Sequence, residues 1–287
     1  MKMARKLPEW LKVSYNKEAV NEVNELMANL KLNTVCKEAN CPNLGECYKK
    51  NTATFMILGS VCTRNCSFCN VTNGHAEIVD PHEPQNLAEA VMKLKLNHVV
   101  ITSVTRDDLE DCGARHFANT IKAVRELNPN TTIEVLIPDL KGLPENLDII
   151  INAKPDVINH NIETIKSLYK EVRPQANYER SLFVLEYVKK EAPSIFTKTG
   201  IMVGLGEKDE EVYELMDDCL NVNCDILTIG QYLRPSEEHI KMVEYVRPEK
   251  FEEYKKVGLE KGFSYIASSP LVRSSYKAEE ALRARSN

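Results

Sequence analysis

The sequence lacks three features that would each place it in a large class of proteins. It has no apolar run near the ~20 residues that span a bilayer, since T-F-M-I-L-G-S-V is only strand-sized. It has no basic excess, and a net charge of -5 offers no broad positive field to nucleic-acid phosphates. Its first residues, M-K-M-A-R-K-L-P-E-W-L-K, contain neither an apolar signal core nor a small-residue cleavage site. We therefore expect a cytoplasmic protein that binds neither membranes nor nucleic acid.

Cysteine is the residue type whose number and placement are unusual. The chain has nine cysteines in 287 residues, and an odd count without an export signal argues against a disulfide framework. Six of the nine lie between Cys36 and Cys69. We expect the other three, Cys112, Cys219 and Cys224, to be small buried hydrophobic residues, because free cysteine is among the most buried residue types.

Short apolar runs alternate with amphipathic helical segments from residue 52 onward. The six runs are T-F-M-I-L-G-S, H-V-V-I-T-S-V, T-T-I-E-V-L-I, D-V-I-N-H, T-K-T-G-I-M-V-G-L and D-I-L-T-I-G-Q. Their continuous apolar, β-branched composition is typical of strands that are buried on both faces of a parallel sheet. Six βα units are too few for a full eight-stranded barrel. The sequence therefore predicts an α/β fold built on a partial (βα)6 barrel.

Three segments make up the predicted unit. Residues 1–51 form an N-terminal extension, in which a helix over about 16–30 leads into a cysteine-bearing loop. Residues 52–247 form the barrel. Residues 248–287 contain a helix near 248–261 and the tail F-S-Y-I-A-S-S-P-L-V-R-S-S-Y.

Polar groups follow several of the predicted strands. Because barrel enzymes place their chemistry at the carboxyl ends of the strands, these groups are candidate site residues, although each taken singly is also explained as a helix cap or a turn. The positions are Thr102, Ser103, 159–161, 204–207 and Gln231.

The motif C-T-R-N-C-S-F-C places Cys62, Cys66 and Cys69 directly after the first predicted strand. Three thiolates do not complete a tetrahedral structural zinc site, and a four-iron cluster held by three cysteines keeps one iron open. Zinc and unligated thiols are the alternatives. The C-x3-C-x2-C spacing, with Phe68 before the third cysteine, resembles the signature of radical S-adenosylmethionine (SAM) enzymes. That resemblance implies that the amino and carboxylate groups of SAM occupy the open iron.

A second cysteine triad lies upstream, in C-K-E-A-N-C-P-N-L-G-E-C. Cys36, Cys41 and Cys47 have the spacing C-x4-C-x5-C, again without a fourth cysteine nearby. A zinc site completed by a distant histidine, or a loop with incidental thiols, are the alternative interpretations. Because each triad has its own loop-sized spacing, we expect two separate sites.

The two triads together resemble the arrangement found in lipoyl synthases. The resemblance covers residues 5–280 and includes P-E-W-L-K, C-P-N-L-G-E-C, V-V-I-T-S-V-T-R-D-D-L, N-H-N-I-E-T, G-I-M-V-G-L-G-E, D-I-L-T-I-G-Q-Y-L-R-P-S and P-L-V-R-S-S-Y. It implies two 4Fe-4S clusters. The cluster on Cys62, Cys66 and Cys69 cleaves SAM to methionine and a 5'-deoxyadenosyl radical. The auxiliary cluster, on Cys36, Cys41 and Cys47, donates two sulfurs to C6 and C8 of a protein-bound octanoyl chain.

The resemblance also implies the fourth auxiliary ligand and the partners. A serine of R-S-S-Y completes the auxiliary cluster, and the match favours Ser275 with its neighbour Ser274 left open. The tail would then lie over the barrel mouth. The acceptors are octanoylated lipoyl domains, namely 2-oxoacid dehydrogenase acyltransferase subunits and the glycine cleavage H protein. The electron donor is a low-potential reductant such as flavodoxin or ferredoxin.

Further positions match the SAM-binding pattern of the superfamily. Gly204 belongs to the motif that lies against adenine, Asn161 and Glu163 fall where the ribose is held, and Arg173 is a carboxylate partner. Thr102 and Ser103 lie where the amino group is received. The chain departs from the family pattern at Thr105, Ser269 and Cys112, and Cys112 replaces a glycine, which puts the conformation of its loop in question.

Two other functions are consistent with parts of the sequence. A different dual-cluster radical SAM enzyme, such as a biotin-synthase-like sulfur inserter, would not need both the upstream triad and R-S-S-Y. A non-catalytic iron–sulfur electron carrier would need complete protein ligation of both clusters, which two sets of three cysteines do not provide.

Overall fold

One eight-stranded sheet organises the molecule. The computed structural model describes residues 7–13, 17–49 and 53–275. The strands follow one another across the sheet in chain order. They are β1 (Asn33–Thr34), β2 (Thr54–Ile57), β3 (His98–Ser103), β4 (Thr132–Leu136), β5 (Val157–Asn159), β6 (Phe196–Val203), β7 (Ile226–Gln231) and β8 (Tyr265–Ser268).

Strands β2 to β8 are parallel, and only β1 pairs antiparallel, with β2. Within the described part of the chain no ladder joins β8 to β1, so the barrel is partial. Each of the six predicted apolar runs contains a strand, and a helix follows each of β2 to β7. The predicted α/β fold with a partial (βα)6 barrel is therefore confirmed.

Ten α-helices surround or precede the sheet. They are α1 (Lys17–Asn29), α2 (Val35–Glu38), α3 (Leu44–Lys49), α4 (Glu83–Leu94), α5 (Ala114–Leu127), α6 (Pro144–Asn152), α7 (Tyr169–Val172), α8 (Tyr178–Glu191), α9 (Asp209–Asn221) and α10 (Pro248–Lys261) among the described residues. Helices α1 and α10 confirm the two helices predicted outside the barrel. None of the described helices is both long and apolar enough to cross a membrane.

Two strands were not predicted, and both lie outside the predicted barrel segment. Strand β1 belongs to the N-terminal extension and pairs with β2, while β8 belongs to the C-terminal segment and pairs with β7. The sheet therefore continues across the predicted boundaries at residues 51 and 247.

The two faces of the strands differ in chemistry. Alternate residues such as Ile101, Val135 and Ile229 are buried in apolar clusters with the helices. The intervening residues are often polar and meet inside the barrel, where Lys198 Nζ donates to Glu134 Oε1 at 2.8 Å. The barrel interior is thus a polar lumen rather than an apolar core.

The three scattered cysteines are buried as predicted. Cys112, Cys219 and Cys224 are 1%, 0% and 3% exposed. Cys112 has a left-handed backbone with φ +53°, and Gly113 follows with φ +89°. The loop therefore keeps the left-handed conformation that suits glycine, with cysteine in that position.

Candidate functional site

The first cysteine triad lies in the loop after β2. Its three cysteines, like the other six, are not in disulfide bonds. Main-chain N–H groups of Arg64 and Thr105 donate to Cys62 Sγ at 3.4 and 3.3 Å. Such N–H···S bonds are among the contacts that tune iron–sulfur clusters. The loop thus directs two main-chain hydrogen-bond donors at the sulfur of Cys62.

Burial and mutual proximity govern the other two thiols of this triad. Burial raises the pKa of Cys69 to about 12, while an N–H from Val71 opposes the rise and the charges of Cys66 and Cys62 add to it. Burial also raises the pKa of Cys66, against a hydrogen bond from Arg173. Because the charges of Cys66 and Cys62 both act on the Cys69 thiol, the three cysteines of this predicted triad are neighbours in space.

Arg64 fixes the same loop to the barrel. Its Nε and Nη2 donate to Asp107 at 2.6 and 2.9 Å, and its Nη1 and Nη2 donate to Asp139 at 3.0 and 2.8 Å. Asp139 is 0% exposed, and the Arg64 charge holds the pKa of that carboxyl far below its usual range against the effect of burial. Sequence reasoning missed this clamp, although Arg64 and Asp107 lie in motifs that it quoted.

Two polar atoms beside the triad are available for a ligand. Ser103 Oγ and Arg173 Nε are buried and have no hydrogen-bond partner within the described residues. Arg173 Nη1 donates to Asn161 O at 2.8 Å and to the Tyr169 hydroxyl at 2.7 Å, which orients the guanidinium. Unpaired buried polar groups are rare in proteins and indicate a missing partner. Thr102 differs, because its hydroxyl already donates to Leu136 O at 2.9 Å.

Asn161 and Glu163 are adjacent in space as predicted. Asn161 Nδ2 donates to Glu163 Oε1 at 3.1 Å. Glu163 has a left-handed φ of +72°, and its main chain bonds to Gly200 O and the Met202 N–H of β6 at 2.9 and 2.8 Å. Burial raises the pKa of the Glu163 carboxyl, with Arg173 opposing that effect. A strained backbone held by a strand in this way is common at ligand sites.

An apolar cluster lies next to the triad loop. It includes Phe68 and Met202, packed with Val172, Leu168, Leu205, Tyr232, Ile240 and Met242. The segment after β7 attaches to the loop, since Ile240 N donates to Ser67 O at 2.9 Å.

Gly204 is close to this cluster in sequence but has a different set of contacts. Its φ is +99°, and a Cβ there would collide with Gln231 Nε2. Gly204 therefore allows the turn after β6 to pack against β7. Its predicted role at adenine stays a prediction.

The second triad surrounds Tyr48. Burial raises the pKa of the Tyr48 hydroxyl, and the charges of Cys36, Cys41 and Cys47 each raise it further. Tyr48 also hydrogen-bonds to Thr34 Oγ1 at 2.8 Å. The three thiols that sequence spacing grouped are therefore neighbours in space.

The two serines of the tail point to different parts of the site. Thr54 Oγ1 donates to Ser275 Oγ at 2.7 Å. Burial raises the pKa of Cys36 to about 11, and a hydrogen bond from the main-chain N–H of Thr54 opposes that rise. Ser274 Oγ instead donates to Asn161 Oδ1 at 2.8 Å. Ser275 is thus associated with the second triad and Ser274 with the first site.

Other contacts hold the tail in this place. Asn43 Nδ2, from the second triad's loop, donates to Leu271 O at 2.7 Å. A Cβ on Gly230 of β7 would collide with Val272 O, so the tail passes directly against that strand. Burial raises the pKa of the Cys41 thiol, and the charge of Arg273 lies close enough to oppose that rise.

The donor set of each triad fits an iron–sulfur cluster. Each supplies three cysteines outside any disulfide from one short stretch of chain, as cluster ligation by cysteine requires. The predicted cysteine-bearing loop is partly helical, with Cys36 in α2 and Cys47 in α3. In the described ranges, no three His, Cys, Asp or Glu side chains converge tightly enough to hold a single metal ion.

Comparisons with known proteins agree with this geometry. Residues 56–219 match the profile of the radical SAM superfamily. The lipoyl synthase of Caldanaerobacter subterraneus subsp. tengcongensis is 55% identical over 280 residues, covering 98% of each chain. That of Alkaliphilus metalliredigens is 54% identical over 283 residues, covering 98% of this chain and 97% of the relative.

Solved structures show the fold at much lower identity. SuiB of Streptococcus suis bound to S-adenosylmethionine is 14% identical with a TM-score of 0.58, covering 88% of this chain and 62% of that chain. Methylornithine synthase (PylB) is 13% identical with a TM-score of 0.52, covering 93% and 82%. Similarity at more than half identity over nearly the whole chain decides the family. This chain belongs to the lipoyl synthase family of the radical SAM superfamily.

Proposed function

We propose that this chain inserts two sulfur atoms, at C6 and C8 of an octanoyl chain carried on a lipoyl domain, and so completes the lipoyl group. The observation that carries the proposal is the presence of two cysteine triads and a serine of the C-terminal segment at one barrel. When bound, two 4Fe-4S clusters supply the reductive cleavage of SAM and the sulfur atoms. The chain's own residues hold, orient and enclose these groups.

Cys62, Cys66 and Cys69 hold the SAM-binding cluster in this proposal. Arg173 pairs with the SAM carboxylate, because a guanidinium binds carboxylate bidentately and its Nε is unpaired among the described residues. Ser103 receives the amino group. The remaining contacts are assigned to Thr102 beside Ser103, Asn161 and Glu163 at the ribose, and Gly204 at the adenine.

Cys36, Cys41 and Cys47 hold the auxiliary cluster, with Ser275 as its fourth ligand. The hydrogen bond that joins Ser275 to Thr54, itself bonded to Cys36, supports Ser275 over Ser274. Serine oxygen is a harder and poorer ligand for cluster iron than thiolate. Ser275 would therefore be the most weakly held ligand of a cluster bound there.

The partners follow from the family. The acceptor is a lipoyl-domain protein, and its finer identity, an acyltransferase subunit of a 2-oxoacid dehydrogenase or the glycine cleavage H protein, is a proposal. The proposed electron donor is a flavodoxin or ferredoxin, and the proposed compartment is the cytoplasm. Neither nucleic acid nor a membrane has a role in this proposal.

The test uses anaerobically reconstituted protein with SAM, a reductant and an octanoylated lipoyl-domain peptide. The wild-type chain is expected to bind about eight irons, form 5'-deoxyadenosine and yield lipoyl peptide. Alanine at Cys62, Cys66 and Cys69 together leaves about half the iron and abolishes 5'-deoxyadenosine. Alanine at the other triad keeps SAM cleavage and abolishes the lipoyl product.

Three results would count against the proposal. Wild-type 5'-deoxyadenosine formation by Cys62→Ala would contradict the assignment of the SAM cluster. Iron and redox activity without any SAM cleavage would identify an electron carrier. Sulfur insertion into a small molecule but not into the peptide would identify a different sulfur inserter.

A further inference from the structure

Thr54 connects the two ends of the chain at the auxiliary site. It is the first residue of β2 and is 5% exposed. Its hydroxyl donates to Ser275 Oγ at 2.7 Å, across 221 positions of sequence. Its main-chain N–H also hydrogen-bonds to the Cys36 thiol. Thr54 thus touches one candidate ligand from each end of the chain.

The strand gives Thr54 a fixed position. Thr54 is paired with Val100 of β3 in the parallel ladder, so its side chain starts from a backbone held by the sheet. The tail has no such ladder at Ser275, which is the last residue of the described segment. A hydrogen bond from a rigid donor to a group on an irregular segment determines where that group lies. The rigid partner here is Thr54.

The direction of the hydrogen bond is also informative. The Thr54 hydroxyl is the donor, so Ser275 Oγ accepts and keeps a further lone pair for a metal. The adjacent Ser274 is held by a different partner, Asn161, at 2.8 Å. The hydrogen bonds to Thr54 and to Asn161 together determine which of the two serines lies on the side of Cys36.

We propose that Thr54 is a positioning residue for the auxiliary cluster: its hydroxyl holds Ser275 Oγ beside Cys36, and it binds neither iron nor substrate itself. The inference rests on the proposed function, because it takes Ser275 as a cluster ligand. It predicts that the Thr54 hydroxyl matters only while the Ser275 oxygen is present.

The test is a double-mutant cycle on cluster retention, which needs no turnover. Fully reconstituted Thr54→Val, Ser275→Ala and the double variant are mixed anaerobically with an iron chelator, and the rate of iron loss is followed. Thr54→Val is expected to lose auxiliary iron about tenfold faster than wild type, the effect of one hydrogen bond to a charged acceptor. The double variant is expected to match Ser275→Ala, because loss of the Thr54 hydroxyl has no further effect once its acceptor, the Ser275 oxygen, is absent.

Two controls separate positioning from general damage. Thr54→Ser keeps the hydroxyl and is expected to retain iron as wild type does. Thr120→Val removes a hydroxyl that is 0% exposed and donates to His116 O in α5. It is expected to leave iron loss unchanged. The function of the SAM-binding cluster is followed by 5'-deoxyadenosine formation, which is expected to be unaffected by Thr54→Val.

The outcomes distinguish the inference from the proposal beneath it. If Ser275→Ala accelerates iron loss but Thr54→Val does not, the role of Thr54 is wrong and Ser275 remains a ligand. Equal acceleration by Thr54→Val with and without the Ser275 oxygen would also overturn the inference. If Ser275→Ala itself retains iron as wild type does, both the ligand assignment and the role of Thr54 fail.

Discussion

At the scale of single residues, the site depends on a few buried charges that sequence spacing does not reveal. The Arg64 guanidinium bridges two carboxylates, one of them Asp139 at 0% exposure. A buried charge that loses its partner is costly, because its desolvation is no longer compensated. Arg180 also reaches Asp139, but at 3.3 Å and from a half-exposed position. Arg64 therefore carries most of the compensation.

We expect Arg64→Gln to destabilise the fold by about 3 kcal/mol, the usual effect of breaking a buried ion pair. The measurement is urea unfolding of the cluster-free protein. The matched control is Arg125→Gln, whose pair with Asp156 is 37% and 34% exposed, and which is expected to cost less than about 1 kcal/mol. Equal costs for the two variants would show that the Arg64 clamp does not hold the cysteine loop.

At the scale of elements, the loop between β3 and α5 contains a position at which the sequence departs from the expected family pattern. Cys112 replaces a glycine there and has φ +53°, a left-handed backbone that costs a non-glycine residue about 1 kcal/mol. Its side chain is nevertheless buried, at 1% exposure. At this position the strained backbone lowers the stability of the fold, whereas burial of the side chain raises it.

We expect Cys112→Gly to change the free energy of unfolding by less than about 1 kcal/mol, because relief of strain offsets the lost burial. The matched substitution is Cys219→Gly in α9, where the cysteine is 0% exposed and helical. It is expected to cost about 2 to 3 kcal/mol, since helix propensity and burial are both lost. Thermal or urea unfolding compares them, and similar costs would contradict the strain at Cys112.

The elements also show how far the sequence alone could be interpreted. The strands of the barrel are long apolar runs, and all six were predictable because burial on both faces leaves a continuous pattern. Strand β1 consists of two polar residues, and β8 alternates partly buried with buried residues, so neither gives the continuous apolar run of a strand buried on both faces. They exist because β2 and β7 offer open edges. The thiol triads were predictable from spacing. The Arg64 clamp and the Thr54–Ser275 bond were not, because they join residues distant in sequence.

At the scale of the whole molecule, the described parts of the N-terminal extension and of the C-terminal segment meet at the barrel. The N-terminal extension adds β1 beside β2, and the C-terminal segment adds β8 beside β7. Contacts between Asn43 and Leu271, and between Thr54 and Ser275, then join the two ends directly. The proposed auxiliary ligands therefore assemble only when the described parts of the N-terminal extension and the C-terminal segment are folded onto the barrel.

The central claim is that the auxiliary site formed by these two ends is the source of the inserted sulfur. The most direct measurement is reconstitution of the wild-type chain with isotopically labelled sulfide, followed by mass spectrometry of the lipoyl peptide from the first turnover in unlabelled buffer. Both sulfurs of each lipoyl group are expected to carry the label. Ser275→Ala, which lacks the fourth ligand, is expected to cleave SAM and form no complete lipoyl group. Unlabelled lipoyl product from the wild-type chain would contradict the account.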